Sequence, residues 1–269
     1  MQPICDYSDY NYKSHFWGSG KRKYEHLCEH HLIRKLLQSL PKKPKTLLDA
    51  GCGFGRLYTA YSDIAENCIL LDYAQNMLDQ AKSTIGENEK VAFVQGNIYQ
   101  IPLENSCCDT AVSVRVLHHI AEPSNFFSEI YRVLSPGGTF ICEIPNKRHI
   151  INIIKYWILR FKNFVIKTNS PNSGDLLKEL NPFSHTHLQL NHAYYNFHPK
   201  FIITLLQQQG FEISALKNTS FFRHRFFKWL FPPGLLFRID QVLQTLLPVM
   251  NLTPSIFVLC RKESFKTVK

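Results

Sequence analysis

The chain has 269 residues, of which 45% are hydrophobic and 19% charged, so it can bury a sizeable core and has the composition of a soluble enzyme. Its net charge is +10, and residues 146–238 carry the whole excess, with thirteen Lys and Arg against three acidic residues. The eight cysteines form no Cys-x-x-Cys pair, which argues against a zinc site or a disulfide framework and favours free thiols in a reducing compartment.

The first 145 residues alternate between predicted helices and strands. A helix over 24–40 ends at Pro41 and is followed by strands at 46–50, 68–71, 91–94, 109–114 and 139–144. Helices are predicted between them, at 55–64, 74–83 and 124–134. This alternation is typical of a parallel sheet with helices on both faces. The first residues lack the apolar core of a signal peptide, so we expect a cytoplasmic protein.

The pattern changes after Pro145. Residues 146–197 are basic and aromatic without a clean strand, and 150–166 form a predicted helix whose Lys155, Arg160 and Lys162 argue against a membrane span. A helix at 199–209 and strands at 211–216 and 255–261 complete the chain. We therefore predict one domain with an N-terminal cap (1–44), a core (45–145), a lid insertion (146–197) and a C-terminal part (198–269) that holds a second insertion at 218–254.

The first motif is a glycine-rich turn directly after the first predicted strand. Gly51, Gly53 and Gly55 alternate with other residues in the segment 47–56. Glycine permits positive φ and leaves no side chain between the backbone and a ligand. The dinucleotide fingerprint Gly-x-Gly-x-x-Gly has a different spacing, which disfavours a nicotinamide-dependent oxidoreductase. A glycine-rich turn without a ligand is the alternative interpretation.

The second motif is an acidic residue at the end of the next predicted strand. Asp72 follows Gly51 by 21 positions. A carboxylate at this place in an α/β sheet can accept hydrogen bonds from both hydroxyls of an adenosine ribose. Alternatively, Asp72 only caps the helix that follows it.

Three further segments, at 95–103, 112–120 and 129–140, complete a recognisable set. Taken in order, the five segments resemble the class I S-adenosylmethionine (SAM)-dependent methyltransferases, in the broad group that contains the ubiquinone and menaquinone methyltransferases. The resemblance covers residues 45–144. It implies a Rossmann-like α/β sheet with helices on both faces, an antiparallel C-terminal strand and lid insertions, and SAM as the cofactor.

The resemblance also implies a role for each motif residue. The glycine segment would face the methionine part of SAM, Asp72 the ribose, Tyr73, Asn97 and Ile98 the adenine, and Arg115 with Val116 the methionine carboxylate or the sulfonium. Most relatives have Asp where Asn97 stands, and the Asn carbonyl can still accept a hydrogen bond. The full predicted cofactor site is Arg22, Asp49, Ala50, Gly51, Cys52, Gly53, Gly55, Asp72, Tyr73, Met77, Asn97, Ile98, Arg115 and Val116.

The candidate catalytic residues are few. A sulfonium methyl group is already activated, so a general base is needed only if the acceptor must lose a proton. His118, His119 and Glu143 are the candidates, although a histidine packed in the Leu-His-His turn is the favoured interpretation of His119. His185, His187 and His192 lack a convincing ligand spacing, so no metal site is predicted.

The acceptor is predicted only as a class. The basic, aromatic insertions suit a small acceptor that is lipophilic or acidic, and they also suit peripheral contact with an anionic membrane. Nucleic acid is disfavoured, because the segment after the fourth strand lacks the (Asp/Asn)-Pro-Pro-(Tyr/Phe) turn of base methyltransferases. The rival hypothesis is a non-catalytic protein of the SAM fold that binds a partner through its basic surface.

Overall fold

The computed structural model describes residues 17–20, 22–166, 181–184, 188–191, 194–246 and 251–264. The strands in these ranges are β1 (Thr46–Ala50), β2 (Asn67–Asp72), β3 (Val91–Gln95), β4 (Cys108–Ser113), β5 (Leu134–Pro145), β6 (Leu188–Asn191), β7 (Tyr194–Asn196), β8 (Phe211–Thr219) and β9 (Ser255–Lys262). The α-helices are α1 (Lys23–Gln38), α2 (Gln75–Ile85), α3 (Pro123–Val133), α4 (Ile150–Ile166), α5 (Pro199–Gln208), α6 (Arg225–Leu230) and α7 (Pro233–Leu246).

Seven of these strands form one mixed sheet in the order β3-β2-β1-β4-β5-β9-β8. The first five are mutually parallel, and β9 runs antiparallel to both β5 and β8. The predicted α/β class with an antiparallel C-terminal strand is confirmed. β6 and β7 pair separately as a short ribbon.

The sheet is buried on both faces, which explains the continuous apolar run in β1. Neighbouring side chains in a strand point to opposite faces. Leu48 packs with Phe126 and Ile130 of α3 on one face, and Leu47 packs with Leu32 and other residues of α1 on the opposite face. Both leucines are fully buried. A sheet covered in this way presents only its edges to a ligand.

One predicted helix is wrong. Residues 55–64 form turns with a single 3₁₀ helix at Tyr58–Ala60 instead of a continuous α-helix. Gly53 and Gly55 have φ of +55° and +71°, which lies outside the helical region, so the chain is still turning where the helix was expected to begin. A Cβ on Gly55 would lie 2.8 Å from Ile85 Cδ1, so this glycine serves the close approach of α2.

The expectation that 146–197 contains no strand is also wrong, because β6 and β7 lie there. Their short sequences are rich in Asn, Gln and Tyr and lack the alternation of apolar and polar residues by which strands are recognised. The helix predicted at 150–166 is confirmed as α4.

The strand order reverses between β1 and β4, since β2 and β3 lie to one side of β1 and the later strands to the other. Open α/β sheets bind ligands outside the carboxyl ends of the strands at such a point. Ala50, Asp72 and Ser113 are the last residues of β1, β2 and β4. The glycine turn and the acidic residue therefore meet at this edge of the sheet.

The N-terminal helix and the second insertion pack against one another. Tyr24 of α1 donates a hydrogen bond from its hydroxyl to Asp240 Oδ1 of α7, at 2.8 Å, and accepts one from the backbone N–H of Phe222. Cys28 and Leu236 bury a small apolar cluster beside this pair. Both segments are thereby fixed near the carboxyl edge, where β4 ends and β9 begins.

Candidate active site

The glycine turn is held by β2. The backbone N–H groups of Gly51 and Cys52 donate to the carbonyl of Leu71, at 2.8 and 3.0 Å. A Cβ on Gly51 would lie 2.3 Å from Val116 Cγ2, whereas one on Gly53 would meet nothing within 4 Å. Gly51 is therefore required by packing, and Gly53 leaves open space beside the backbone for a ligand.

Asp72 joins the two motifs. Its Oδ2 accepts a hydrogen bond from the Gly53 N–H at 2.7 Å, and its Oδ1 accepts one from the Ala74 N–H at 3.0 Å. Burial raises the pKa of this carboxyl, and the backbone donors oppose that rise. Since each carboxylate oxygen has two lone-pair sites, Asp72 can keep both backbone hydrogen bonds and still accept two hydroxyl groups.

A cavity opens at this edge of the sheet. Its wall is formed by Asp49, Gly51, Cys52, Gly53, Phe54, Arg56, Leu57, Met77, Val114, Arg115 and His119. Seven of these residues belong to the predicted sites: Asp49, Gly51, Cys52, Gly53, Met77, Arg115 and His119. The cavity thus unites the glycine turn with the segment after β4, as the sequence predicts.

The other predicted residues lie around the cavity rather than in its wall. Ala50 is buried in the sheet, Gly55 packs on α2 and Val116 packs on Gly51. Tyr73 is exposed next to Asp72, and Arg22 lies over the ring of Trp17. Asn97 and Ile98 follow β3, where the Asn97 side-chain oxygen accepts a hydrogen bond from the backbone N–H of Tyr99.

Asp49 is the buried acidic group of the cavity wall. Its Oδ2 accepts a hydrogen bond from the Tyr61 hydroxyl at 2.6 Å. Burial raises the pKa of Asp49 to about 6, even though Tyr61 and Arg56 favour the ionised form. At neutral pH the carboxylate is ionised and presents a negative charge to a cationic group in the cavity.

Three arginines surround one buried carboxylate, and we call Glu29, Arg56, Arg115 and Arg223 the arginine cluster. Arg56 Nη2 and Arg115 Nη2 each lie 2.6 Å from an oxygen of Glu29, and Arg223 Nη2 lies 3.7 Å from it. Burial alone would raise the pKa of Glu29, but Arg115 and Arg56 lower it to about 2. Arg223 Nη2 also lies 3.7 Å from Glu143 Oε1, so the three guanidinium groups face two buried carboxylates.

Trp17 packs against the arginine cluster. The guanidinium carbons of Arg56 and Arg115 lie 4.1 and 5.4 Å from the centre of its ring, within the range of cation–π attraction. Its ring also meets that of Phe54 in the cavity wall, edge to face, at 6.4 Å. The indole Nε1–H is buried and has no hydrogen-bond partner among the described residues, so it can serve a bound molecule.

Glu143, a predicted catalytic residue, lies behind the cavity rather than in its wall. Its Oε2 accepts a hydrogen bond from the backbone N–H of Arg115 at 2.8 Å, and its Oε1 accepts one from the Ser255 hydroxyl. Arg115 has φ of +59°, an uncommon and costly conformation for a residue with a side chain. These contacts indicate that Glu143 positions Arg115.

The two histidines lie next to each other after β4, with ring centres 3.9 Å apart. His119 is part of the cavity wall. Burial, the neighbouring His119 and several arginines lower the pKa of His118 well below its ordinary value. His118 is therefore neutral at pH 7 and is a weak proton acceptor.

Reasoning from sequence missed Glu29, Arg56 and Arg223 as site residues. A signal was present for Glu29, because it lies between Cys28 and Leu32 on the buried side of α1, where a charge requires a partner. Arg56 directly follows the last glycine of the turn. Arg223 belongs to the second insertion and is joined to the site only by the fold.

Metal binding has a separate outcome. Among the described residues, no group of three His, Cys, Asp or Glu side chains is placed to hold a metal ion. His185, His187 and His192 lie outside the described residues.

Comparison with known proteins identifies the domain. Residues 48–142 match a family model described as a methyltransferase domain. A probable S-adenosylmethionine-dependent methyltransferase of Mycolicibacterium smegmatis is 32% identical over 103 residues, which are 38% of this chain and 39% of that protein. Over residues 48–142 this chain is therefore similar to methyltransferase domains.

A second relative of this methyltransferase domain has a named acceptor. The malonyl-[acyl-carrier protein] O-methyltransferase of a Marinomonas species is 27% identical over 129 residues, 47% of this chain and 48% of that protein. The chain therefore spans less than half the length of both curated relatives.

Solved structures agree with the fold. A possible histamine N-methyltransferase of Thermotoga maritima is 16% identical with a TM-score of 0.58, and the match covers 96% of this chain and 98% of that one. A SAM-dependent methyltransferase of Mesorhizobium loti is also 16% identical, with a TM-score of 0.53 and coverage of 86% and 96%. At this identity they show the fold alone.

The cofactor of this family is SAM, and three features of the structure fit it. Gly53 leaves space beside the backbone, Asp72 retains accepting capacity at the end of β2, and the buried Trp17 N–H has no partner among the described residues. Asp49 adds a buried carboxylate to the wall of the same cavity.

Proposed function

We propose that this methyltransferase domain transfers the methyl group of SAM to a small acceptor that carries an acidic group. The observation that supports the proposal is that the arginine cluster shares a cavity with the glycine turn. Arg56 and Arg115 stand in the same wall as Gly51 and Gly53, and with Arg56 assigned to the carboxylate of SAM, Arg115 would face the acceptor. Guanidinium groups in a largely buried site are suited to carboxylate and phosphate groups.

The roles of the chain's residues follow from their positions. Asp72 and Tyr73 would hold the adenosine part, and Asn97 and Ile98 would border the adenine. Asp49 would bind the ammonium group, while Arg22, Arg56 and Trp17 would surround the carboxylate of the methionine part. When bound, SAM supplies a methyl group on a positively charged sulfur, whose carbon–sulfur bond breaks in an in-line displacement.

An acidic acceptor also accounts for the weak basicity of His118. A carboxylate or phosphate oxygen has already lost its proton at neutral pH, so the transfer needs no general base. His118 stays neutral, and His119 in the cavity wall would border the acceptor. The chain would then contribute by orienting both molecules and excluding water, and orientation alone can supply about 7–11 kcal/mol in favourable cases.

The relatives are consistent with this acceptor class. One of them is named as a malonyl-[acyl-carrier protein] O-methyltransferase, and a malonyl group is acidic. Membership of the ubiquinone and menaquinone group, which would imply a lipophilic acceptor, remains a prediction of the sequence resemblance.

The test is a transfer assay with the full chain and SAM labelled in its methyl group. A cell extract is separated by anion exchange, and each fraction is incubated with wild-type protein and with the isosteric Asp72→Asn variant. We expect label to enter molecules of the retained, acidic fractions with the wild type, and much less with the variant. Label that enters only unretained, neutral molecules would contradict the acidic acceptor.

The same assay distinguishes a methyltransferase from the rival hypothesis of a non-catalytic binding protein. A non-catalytic binding protein would bind SAM and transfer label to no fraction. Formation of S-adenosylhomocysteine above the level of the Asp72→Asn variant would exclude it.

A further inference from the structure

An exposed apolar ridge runs along the second insertion. On α6 it consists of Phe226, Trp229 and Leu230, and on α7 of Leu235, Ile239, Val242 and Leu246. The α7 residues recur at intervals of four, three and four positions, so they form one stripe of the helix. Trp229 is 82% exposed and Leu246 is 68% exposed. Clusters of large apolar side chains of this kind mark interaction sites.

The opposite side of α7 already has its partner. Leu236 and Asp240 are fully buried against α1, where Tyr24 and Cys28 contact them. The helix is therefore held to the domain by one stripe and presents a second apolar stripe outward. A helix that needed only to pack on the domain would carry polar residues on the outward side.

The charges beside the ridge have a single sign. Residues 221–246 contain one acidic residue, Asp240, which is buried and accepts hydrogen bonds from Tyr24, Phe221 and Gln244. Arg225 and Arg238 are exposed next to the ridge. Within residues 221–246 the exposed charged groups are thus basic, and an outward apolar stripe beside basic groups is complementary to an anionic lipid surface.

The helix α4 repeats this arrangement. Ile150, Ile154, Trp157, Ile158 and Phe161 are exposed along one stripe, and Lys155 and Arg160 are exposed beside them. The backbone N–H of Ile150 donates to the carbonyl of Leu252, so α4 begins next to the chain that leads from α7 to β9. Both insertions leave from the carboxyl edge of the sheet, since Pro145, Thr219 and Ser255 are paired there.

The helices are suited to lie on a membrane rather than to cross it. Among the described residues, no helix is both long and apolar enough to span a bilayer. Tryptophan is favoured at the boundary between lipid and water. The stripe of α4 contains Trp157, and the ridge contains Trp229.

We propose that the apolar ridge of α6 and α7, together with the outward stripe of α4, docks this protein on the surface of an anionic membrane. This docking does not depend on the proposed acceptor.

The experiment is co-sedimentation of the full chain with vesicles of pure phosphatidylcholine and with vesicles that contain phosphatidylserine in addition. We expect binding to the anionic vesicles that weakens strongly between low and high salt. Trp229→Ser is expected to weaken it roughly tenfold, because a large apolar group is lost. Arg225→Gln combined with Arg238→Gln is expected to weaken it about 25-fold, at about fivefold for each charge.

The matched control is the double variant Lys42→Gln with Lys43→Gln, which removes the same charge from exposed residues that precede β1. Its binding should change by less than that of the ridge variant. Calorimetry with SAM checks that all variants keep a folded site, so loss of docking and loss of cofactor binding are distinguished.

Three outcomes would overturn the proposal. The first is equal binding to neutral and anionic vesicles, and the second is equal effects of the two double charge variants. The third is a lipid-free dimer that Trp229→Ser dissociates, in a protein that does not sediment with either vesicle, which would make the ridge an interface between two copies of the chain.

Discussion

The cofactor-binding core and the second insertion both contain helices with an apolar stripe, but the stripes have different surroundings. In α3 the apolar stripe that contains Phe126 and Ile130 is buried against the sheet. In α7 the stripe that contains Leu235 and Ile239 faces outward, while Leu236 is buried on the other side. Apolar periodicity thus identifies a stripe but not what covers it.

The two regions also differ in how they treat charge. In the core, Glu29 is buried with guanidinium groups on both of its oxygens, because a buried carboxylate without partners is unfavourable. Next to the apolar ridge, basic groups such as Arg225 and Arg238 stay exposed. Changes of charge in the core are therefore expected to alter the stability of the protein. Changes of charge in the insertion are expected to alter its docking.

The largest effect is expected from Glu29→Gln. The substitution leaves Arg56 and Arg115 largely buried without their carboxylate, and breaking a buried pair typically costs about 3–5 kcal/mol. Denaturant unfolding measures the loss of stability. Asp63→Asn is the control, because Asp63 forms an equally short ion pair with Arg34 but at the surface. A control that destabilises the protein as much as Glu29→Gln would contradict the comparison.

The same carboxylate predicts a pH dependence. The pKa of Glu29 is about 2, below its ordinary value of 4.5, so its stabilising contribution is present above pH 4.5 and is lost as the pH falls towards 2. The difference in stability between wild type and Glu29→Gln should therefore shrink below pH 4.5.

The next largest effect on stability is expected to differ between two glycines of the same turn. Gly51→Ala is expected to destabilise the protein by about 3 kcal/mol, from positive φ and from collision with Val116. Gly53→Ala meets no neighbour, so it should cost only the φ strain of about 1–2 kcal/mol, but it should weaken SAM binding. Unfolding and calorimetry are measured on both variants. Unchanged SAM affinity in Gly53→Ala would remove this glycine from the cofactor site.

A pair of adjacent leucines tests the two sides of α7. Leu236→Ala is expected to cost about 2–3 kcal/mol, since it removes a fully buried side chain. Leu235→Ala, on the exposed ridge, should change stability by less than about 0.5 kcal/mol and should weaken vesicle binding. Equal losses of stability would show that the ridge is packed in solution.

The smallest effect is the pH dependence of cofactor affinity. The pKa of Asp49 is raised by burial to about 6, and only the ionised form attracts an ammonium group. SAM affinity should therefore fall by up to about tenfold per unit as the pH is lowered below 6. The Asp49→Asn variant should bind more weakly at pH 8 and lack this slope. A slope that persists in the variant would assign it to another group.

The sequence predicts the core well because its signals are local. The glycine spacing, Asp72 and the alternation of elements are each visible within a few residues, and the structure brings them together. The continuous helix expected over 55–64 is not formed because Gly53 and Gly55 have positive φ, and Gly55 serves the close approach of α2.

The arginine cluster could not be predicted in the same way. Glu29, Arg56, Arg115 and Arg223 are far apart in the chain, and their meeting depends on how α1 and the second insertion pack on the sheet. No spacing rule relates residues that only the tertiary fold brings together. Glu143 illustrates the same limit, because its contact with the Arg115 backbone gives it a positioning role that its sequence context does not reveal.

Calorimetric titration of SAM into wild type and Asp72→Ala is the most direct test that the glycine turn and Asp72 form a SAM site. Hydrogen bonds to a charged group contribute about 1.5–3 kcal/mol each, so loss of the two ribose contacts should weaken binding by at least about 100-fold. The unfolding free energy of each protein confirms that the site remains folded. We expect the wild type to bind SAM and Asp72→Ala to bind it far more weakly. No binding by the wild type, or equal binding by both proteins, would contradict the assignment of the cofactor site.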